Sequence, residues 1–164
     1  MRFLLLCLLS VGLLFAIAPG HAAEQGLQAA LQENAEDIER PSRRDVEAVI
    51  DRLFASGADG VPAFLARWRD KEVWLREEDG VFFFGPDGRG DIDLTDIDTG
   101  EPRGVASSRD LKQVKPNSGV RAVINAALVR FQLSDPDPAV RAAALDTLRD
   151  AYEGWLPRYM KGEV

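Results

Sequence analysis

Thiol and imidazole are almost missing from this sequence of 164 residues, which holds one cysteine, Cys7, and one histidine, His21. Both fall in an N-terminal stretch with the marks of an export signal. Met1-Arg2 is a short basic start, and residues 3–18 are apolar apart from Ser10 and Gly12. Pro19-Gly20 then breaks any helix, and Gly20 and Ala22 put small residues where signal cleavage after Ala22 requires them. The alternative is an uncleaved anchor, because the run falls just short of the roughly 18 residues that span a bilayer. Cys7 is not a lipid-attachment residue, since leucines precede it where small residues are needed. With the signal removed, the mature chain has neither thiol nor imidazole. Cys/His zinc sites and Ser-His-Asp or Cys-His nucleophiles are excluded. No disulfide can form, although export leads to a compartment where one would survive. Any catalysis would rest on carboxylates, Lys, Arg or hydroxyls.

Positive charge is also in short supply. The formal net charge is −7, and loss of the single positive charge of Arg2 takes it to −8. An acidic chain is a poor partner for nucleic acid or anionic lipid. No second apolar run approaches membrane length, so the membrane enters only through the signal segment.

The rest has clear periodicity. Residues 24–39 read as a polar helix with a thin stripe of Leu27, Leu31, Ala35 and Ile38. Arg40-Pro41 ends it, and Ser42 with Asp45 forms a variant of the capping box. Val46, Val49, Ile50, Leu53 and Phe54 then give one apolar helical face. Gly57 suits the position after a helix, and Pro62 suits the start of the next. Phe64, Leu65 and Trp68 of that second helix pack back on the first, making a helical hairpin. The period changes after Asp70. Val73-Trp74-Leu75 and Val81–Phe84 are strands joined by a turn at Asp79-Gly80, with Phe82 and Phe84 on one face and Phe83 on the other. A third strand follows over residues 91–94. Late in the chain, Asn117 or Ser118 caps a helix carrying Val120, Val123, Ile124, Ala127, Leu128 and Phe131. Asp137 caps another, with Pro138 in its first turn and Val140, Ala144, Leu145 and Leu148 as its buried face. Trp155 and Leu156 begin a further element that Pro157 cuts short.

The candidate site is GPDGRGDIDLTDIDTGEP, residues 85–102, which gathers Asp87, Asp91, Asp93, Asp96 and Asp98. These are the candidate metal ligands. An EF-hand register starting at Asp87 puts Arg89 and Ile92 at its third and sixth positions, and one starting at Asp91 puts Asp96 and Pro102 at its sixth and twelfth. Both fail. A Gly-rich calcium roll needs a repeated nonapeptide, and there is one poor copy. The plain reading explains more. Asp91 and Asp93 alternate with Ile92 and Leu94 as in a half-buried strand, and a bulge near Thr95 accounts for the parity change before Asp96. Arg89-Gly90-Asp91 is a chance string in a turn-rich segment. Arg40, Arg43 and Arg44 read as a solvated first turn rather than an anion site, and Glu77-Glu78 as a solvated turn rather than an acid/base pair. Trp68, Trp74 and residues 82–84 read as core, and Asn125 as a side-facing polar residue. No catalytic and no cofactor-binding residue is assigned.

SDPDPAVRAAALDTLRDA resembles the first helix of a HEAT-like repeat, with Asp-Pro-x-Val-Arg followed by Ala and Leu at helical spacing. A wider resemblance is carried by an export signal and RPSRRDVEAVIDRLFASGADGVPAFLARWRDKEVW. A hairpin with FFF, IDLTDIDTGEP, NSGVRAVINAALVRFQL and SDPDPAVRAAALDTL follow in that order. This order is similar to the exported N-terminal region of the urea-type ABC transporter permease, in the branched-chain amino acid permease family. The likeness covers residues 40–148 and the signal. In that family the soluble region continues into transmembrane helices that form the urea path, with a substrate-binding protein outside and ATPases inside. Residues 1–164 hold no such helices, so no pore residue is carried over.

The expected fold is α+β and mostly helical, a helical hairpin and HEAT-like helices with a small inserted antiparallel β-meander. Residues 1–22 are the signal, 23–41 the polar helix, 42–70 the hairpin, 71–105 the meander and 106–164 the HEAT-like part, with 42–164 a single domain. The resemblance implies a periplasmic, non-catalytic interaction or scaffold module of a urea uptake system, a truncated permease among the forms it could take. Its partners are transporter subunits or a periplasmic urea-binding protein, and it is associated with the inner membrane if part of a full permease. The alternative is a free-standing periplasmic protein that binds a small ligand or calcium. An unfinished solenoid edge implies self-association.

Overall fold

The computed structural model describes residues 26–162. The stretch expected to be an export signal, with Cys7 and His21, lies outside the described residues. The fold is α+β: helices take up about half of the described residues, beside one antiparallel five-stranded sheet.

The N-terminal stripe does bury Leu27, Leu31 and Ile38, but the stretch is two helices, α1 (Leu27–Glu33) and α2 (Ala35–Glu39). Asn34 breaks it. Its Nδ2 donates back to the Ala30 carbonyl at 2.9 Å, and its Oδ1 accepts from Arg52 Nε at 2.6 Å. An amide side chain that bonds backbone and a neighbouring helix competes with the helical ladder. Helix α3 (Val46–Ala55) starts later than the cap suggests. The reciprocal contacts are present, with Ser42 Oγ donating to Asp45 Oδ2 at 2.6 Å and accepting from Asp45 N–H at 3.2 Å. They close a tight turn over residues 43–45 before the helix begins. Gly57 takes φ +69 just past α3, and Gly60 takes φ +83 before α4 (Val61–Arg69).

Helix α3 and helix α4 are not a pair closed on itself. Both pack against α5 (Ser118–Leu133), which buries Val120, Ile124 and Ala127 between them. Asn117 caps α5, its Oδ1 accepting from Val120 N–H at 3.0 Å.

The sheet has two more strands than the sequence announced. Strands β1 (Val73–Arg76), β2 (Val81–Phe84), β3 (Asp91–Asp96) and β4 (Pro102–Ser107) form the meander, and β5 (Lys112–Gln113) returns beside β1. The order is β4-β3-β2-β1-β5, so the sheet extends beyond residue 105. Strand β4 escaped notice because its residues are mostly exposed and show no alternation. The bulge expected near Thr95 is there: the β3–β4 register shifts between Leu94 and Thr95.

Strands β4 and β5 lie at opposite edges, yet only residues 108–111 join them. A flat five-stranded sheet holds its edges about 19 Å apart. Five fully extended steps reach at most about 17–18 Å. This linker is not extended, because Asp110 N–H bonds back to the Ser107 carbonyl at 3.0 Å. The sheet therefore curls, edge toward edge, into a partly closed barrel. Its inside holds Trp74, Phe83, Ile92 and Leu94, flanked by Val81, Ala106 and Leu111. Its outside, with Val73, Leu75, Phe82 and Phe84, joins Leu31, Ile50, Leu53, Phe64, Trp68 and Ile124 in the main core. The expected two-faced role of residues 82–84 is met, and Trp68 and Trp74 are core residues.

Helix α6 (Pro138–Met160) departs most from expectation. It runs unbroken for 23 residues, through Trp155, Leu156 and Pro157. Asp137 caps it, accepting from Ala139 N–H at 2.8 Å. The ring of Pro157 removes one hydrogen bond in the last turn, where Trp155 stacks on Tyr159 with centroids 4.6 Å apart and holds the turn together. Of the expected buried face only Ala144 is buried; Val140 is half-buried, Leu145 is 58% exposed and Leu148 42%. Among the described residues no second element covers that face. Helix α6 rests chiefly on α5, and one contact line cannot cover an apolar face about 100° wide.

Candidate functional site

The five aspartates of the opening candidate do not converge. Asp91 and Asp93 point outward from β3, while Ile92 and Leu94 point into the barrel. Asp96 is the hub of the β3–β4 turn. Its Oδ1 accepts from the N–H groups of Asp98 and Thr99 at 3.0 and 2.9 Å and from Thr99 Oγ1 at 3.1 Å. Its Oδ2 meets Arg103 Nε at 2.9 Å. The Thr99 backbone bond, and then Arg103, hold the Asp96 carboxyl below the usual carboxylate range. Asp98 faces the other way and accepts from Gln28 N–H of α1 at 3.1 Å. Asp87 accepts from Gln113 Nε2 at 2.9 Å. That bond, followed by the charges of Lys71 and Lys115, lowers its pKa.

Each aspartate with a partner thus satisfies a turn, a helix end or a strand edge. Among the described residues no group of three or more His, Cys, Asp or Glu side chains is placed to hold a metal ion. The spacing that looked like a ligand run is that of one strand's outer face and the turns on either side of it.

The other sequence candidates are dispersed too. Asp79 of the Glu77-Glu78-Asp79-Gly80 turn is taken by Arg76, and Lys112 reaches Glu39 at 2.6 Å and Glu77 at 3.6 Å. Glu39, then Glu77, hold the Lys112 ammonium above its ordinary pKa. Asn125 Oδ1 accepts from Arg69 Nη1 at 3.4 Å on the surface. Arg43 lies along a shallow groove of about 340 Å³ between α3 and α5, with Glu47 and Arg130 among its neighbours. No polar or charged residue is buried among the described residues. A desolvated acid, base or nucleophile of the kind that perturbs a pKa for catalysis is not among them.

What the structure does assemble is an apolar surface. Tyr152, Trp155 and Tyr159 stack in sequence along α6, with centroids 6.4 and 4.6 Å apart. Leu145, Leu156 and Met160 continue the strip, with exposures from 39% to 76%. Beside it Leu148 and Thr147 face Pro62, Ala66 and Leu128 across a trough of about 800 Å³ between α4, α5 and α6. Tyr and Trp supply large contact area at low conformational cost and dominate interface energetics. The sequence carried this signal as the helical spacing of Leu145, Leu148, Tyr152, Trp155 and Tyr159. Its exposure could not be read, because a stripe looks the same whether buried or bare.

No helix among the described residues is long and apolar enough to cross a membrane. No protein family matches this chain. Searches of curated proteins and of solved structures likewise find no match.

Proposed function

We propose that this chain is the exported, periplasmic N-terminal module of a urea-type ABC transporter permease, acting as a non-catalytic interaction or scaffold domain. The observation that carries the proposal is the bare apolar face of α6. A helix with Tyr152, Trp155, Leu156 and Tyr159 in solvent is an element waiting for a neighbour. In a HEAT-like array that neighbour is the next helix, so α5 and α6 read as one helical pair whose outer side another pair covers. The order of motifs along residues 40–148 supplies the family. The covering element then comes from the permease itself, from another transporter subunit or from a periplasmic urea-binding protein. No cofactor is called for.

The test is an immunoblot of fractionated source cells with an antibody to residues 43–110. A band much larger than the chain in the inner membrane marks the module as the front of a permease. A soluble periplasmic band at the processed mass marks it as a free-standing adaptor. A cytosolic band overturns the proposal. Vesicles carrying only this chain are expected to show no urea flux, and flux would equally sink it.

A further inference from the structure

The mouth of the curled sheet has a different character from α6. There the turn after β2 and the turn after β4 come together around a cleft of about 790 Å³. Trp74 and Leu111 belong to the apolar part of its lining, while Arg89, Arg109 and Lys115 bring three cations to it. Asp91 is the one carboxylate among its lining residues. Among the described residues none of the three cations forms an ion pair within 4.0 Å, whereas Arg52, Arg67, Arg69, Arg76, Arg103 and Arg130 all do. Lys115 acts on Asp87 only at longer range. In a chain with net charge −7, a cleft with a local surplus of two positive charges is a departure that needs a reason.

The two turns are pinned to each other. Gly90 takes φ +91, a conformation that favours glycine, and there its N–H donates to Ser108 Oγ at 3.0 Å. Ser108 N–H returns a bond to the Gly90 carbonyl at 2.7 Å. Ser107 Oγ accepts from Arg109 N–H at 3.3 Å. In these bonds both serine oxygens act as acceptors, so each hydroxyl keeps its own proton to donate. The cleft thus offers two hydroxyl donors, two guanidinium forks and one ammonium on a fixed backbone.

We propose that this cleft binds a small molecule through a doubly charged oxyanion of the phosphate-monoester type, with the organic part lying toward Trp74 and Leu111. The surplus of two charges matches a dianion better than a single carboxylate. Guanidinium forks match the oxygen geometry of phosphate, and serine hydroxyls complete the remaining acceptor positions. An apolar base with a few convergent polar groups is the usual make-up of a small-molecule site, and barrel mouths are a common place for one. Within the Arg89-Gly90-Asp91 turn, Arg89 then serves as a ligand and Gly90 as the residue that pins the turn to Ser108. The cleft does not involve α6, so its failure would leave the interaction reading standing, and the reverse.

The test is calorimetric titration of the full chain at ionic strength of about 10 mM, where the Debye length is roughly 30 Å. The probes are inorganic phosphate, phenyl phosphate and acetate. Saturable one-to-one binding of phosphate is expected, tighter with phenyl phosphate and much weaker with acetate. Backbone amide NMR shifts should move at Gly88, Gly90, Ser107 and Ser108. Arg89→Gln or Arg109→Gln should each weaken binding about tenfold, the effect of one charge-assisted contact. Lys115→Gln should weaken it less, as a point charge without a fork. Arg44→Gln, on α3's side of the molecule, should leave binding unchanged. The cations are exposed and unpaired, so these variants are expected to unfold at the wild-type temperature. Overturning results are no saturable phosphate binding, acetate binding as tightly as phosphate, or an Arg44→Gln loss equal to that of Arg89→Gln.

Discussion

Asp98 caps α1 from seventy residues away. Its Oδ1 accepts the N–H of Gln28 at 3.1 Å. A helix start leaves backbone donors unsatisfied, and the residue before α1, Gly26, has no side chain to serve them. The carboxylate also sits at the positive end of the helix dipole. This ties the N-terminal helix to the β3–β4 loop. Asp98→Ala is expected to cost about 1 kcal/mol of stability, as lost caps do. Urea unfolding of the two proteins side by side measures it, and an unchanged midpoint would mean water replaces the carboxylate.

Asp96 gives a pH signature. Its pKa is lowered in the folded state by the Thr99 N–H and Arg103, and only 19% of its side chain is exposed. A carboxyl with a depressed folded pKa stabilises the fold above its unfolded pKa, about 3.9, and loses that contribution as pH falls through the folded value. The stability gap between wild type and Asp96→Asn should be fully open at neutral pH and close below about pH 4. A gap that stays constant to lower pH would remove Asp96 from acid unfolding.

Gly85 tests the closeness of the barrel interior. A Cβ there would meet Ile92 Cγ2 at 2.7 Å, Trp74 Cδ1 at 3.0 Å and the Asp93 carbonyl at 3.1 Å. The backbone oxygen has little room to yield. Gly85→Ala is therefore expected to destabilise by about 1–3 kcal/mol, the range for overpacking. Thermal unfolding followed by Trp fluorescence checks it. A neutral result would show a looser inner core than Trp74, Phe83 and Ile92 describe.

Helix α6 should behave as surface in the isolated chain. Leu145→Ser alone is expected to change stability by about 0.5 kcal/mol or less, the usual scale for surface positions, and adding Trp155→Ser to cost about 1 kcal/mol more through its lost ring stacks. The same pair should abolish the self-association expected of the exposed strip. Sedimentation at high concentration decides this, and a wild-type chain that stays monomeric would refute the association.

Some of the architecture could be read in advance because it is written locally. The stripes of α3 and α5, the caps at Asn117 and Asp137, and the Gly57 turn each depend on residues within a turn or two of one another. So does the alternation of β3, and the bulge at Thr95 followed from its change of phase. The Asp run was legible as a candidate but not as an answer. Whether the carboxylates face one ion or separate partners depends on Gln28, Arg103 and Gln113, which the fold and not the spacing brings to Asp98, Asp96 and Asp87.

The sequence by itself settled what chemistry residues 23–164 can attempt, since composition needs no coordinates: without thiol or imidazole whole classes of site are excluded. It settled the position of most helices, because periodicity and capping are short-range. Only the tertiary structure decided that a linker of four residues curls the sheet and brings Arg89 beside Arg109. Only it decided that Asp98 serves a helix at the start of the described chain, seventy residues away. It also left the stripe of α6 bare. The physical reason is common to all three. Burial and pairing are properties of what lies opposite a residue, and for these residues the opposite group is distant in sequence or, for α6, not among the described elements.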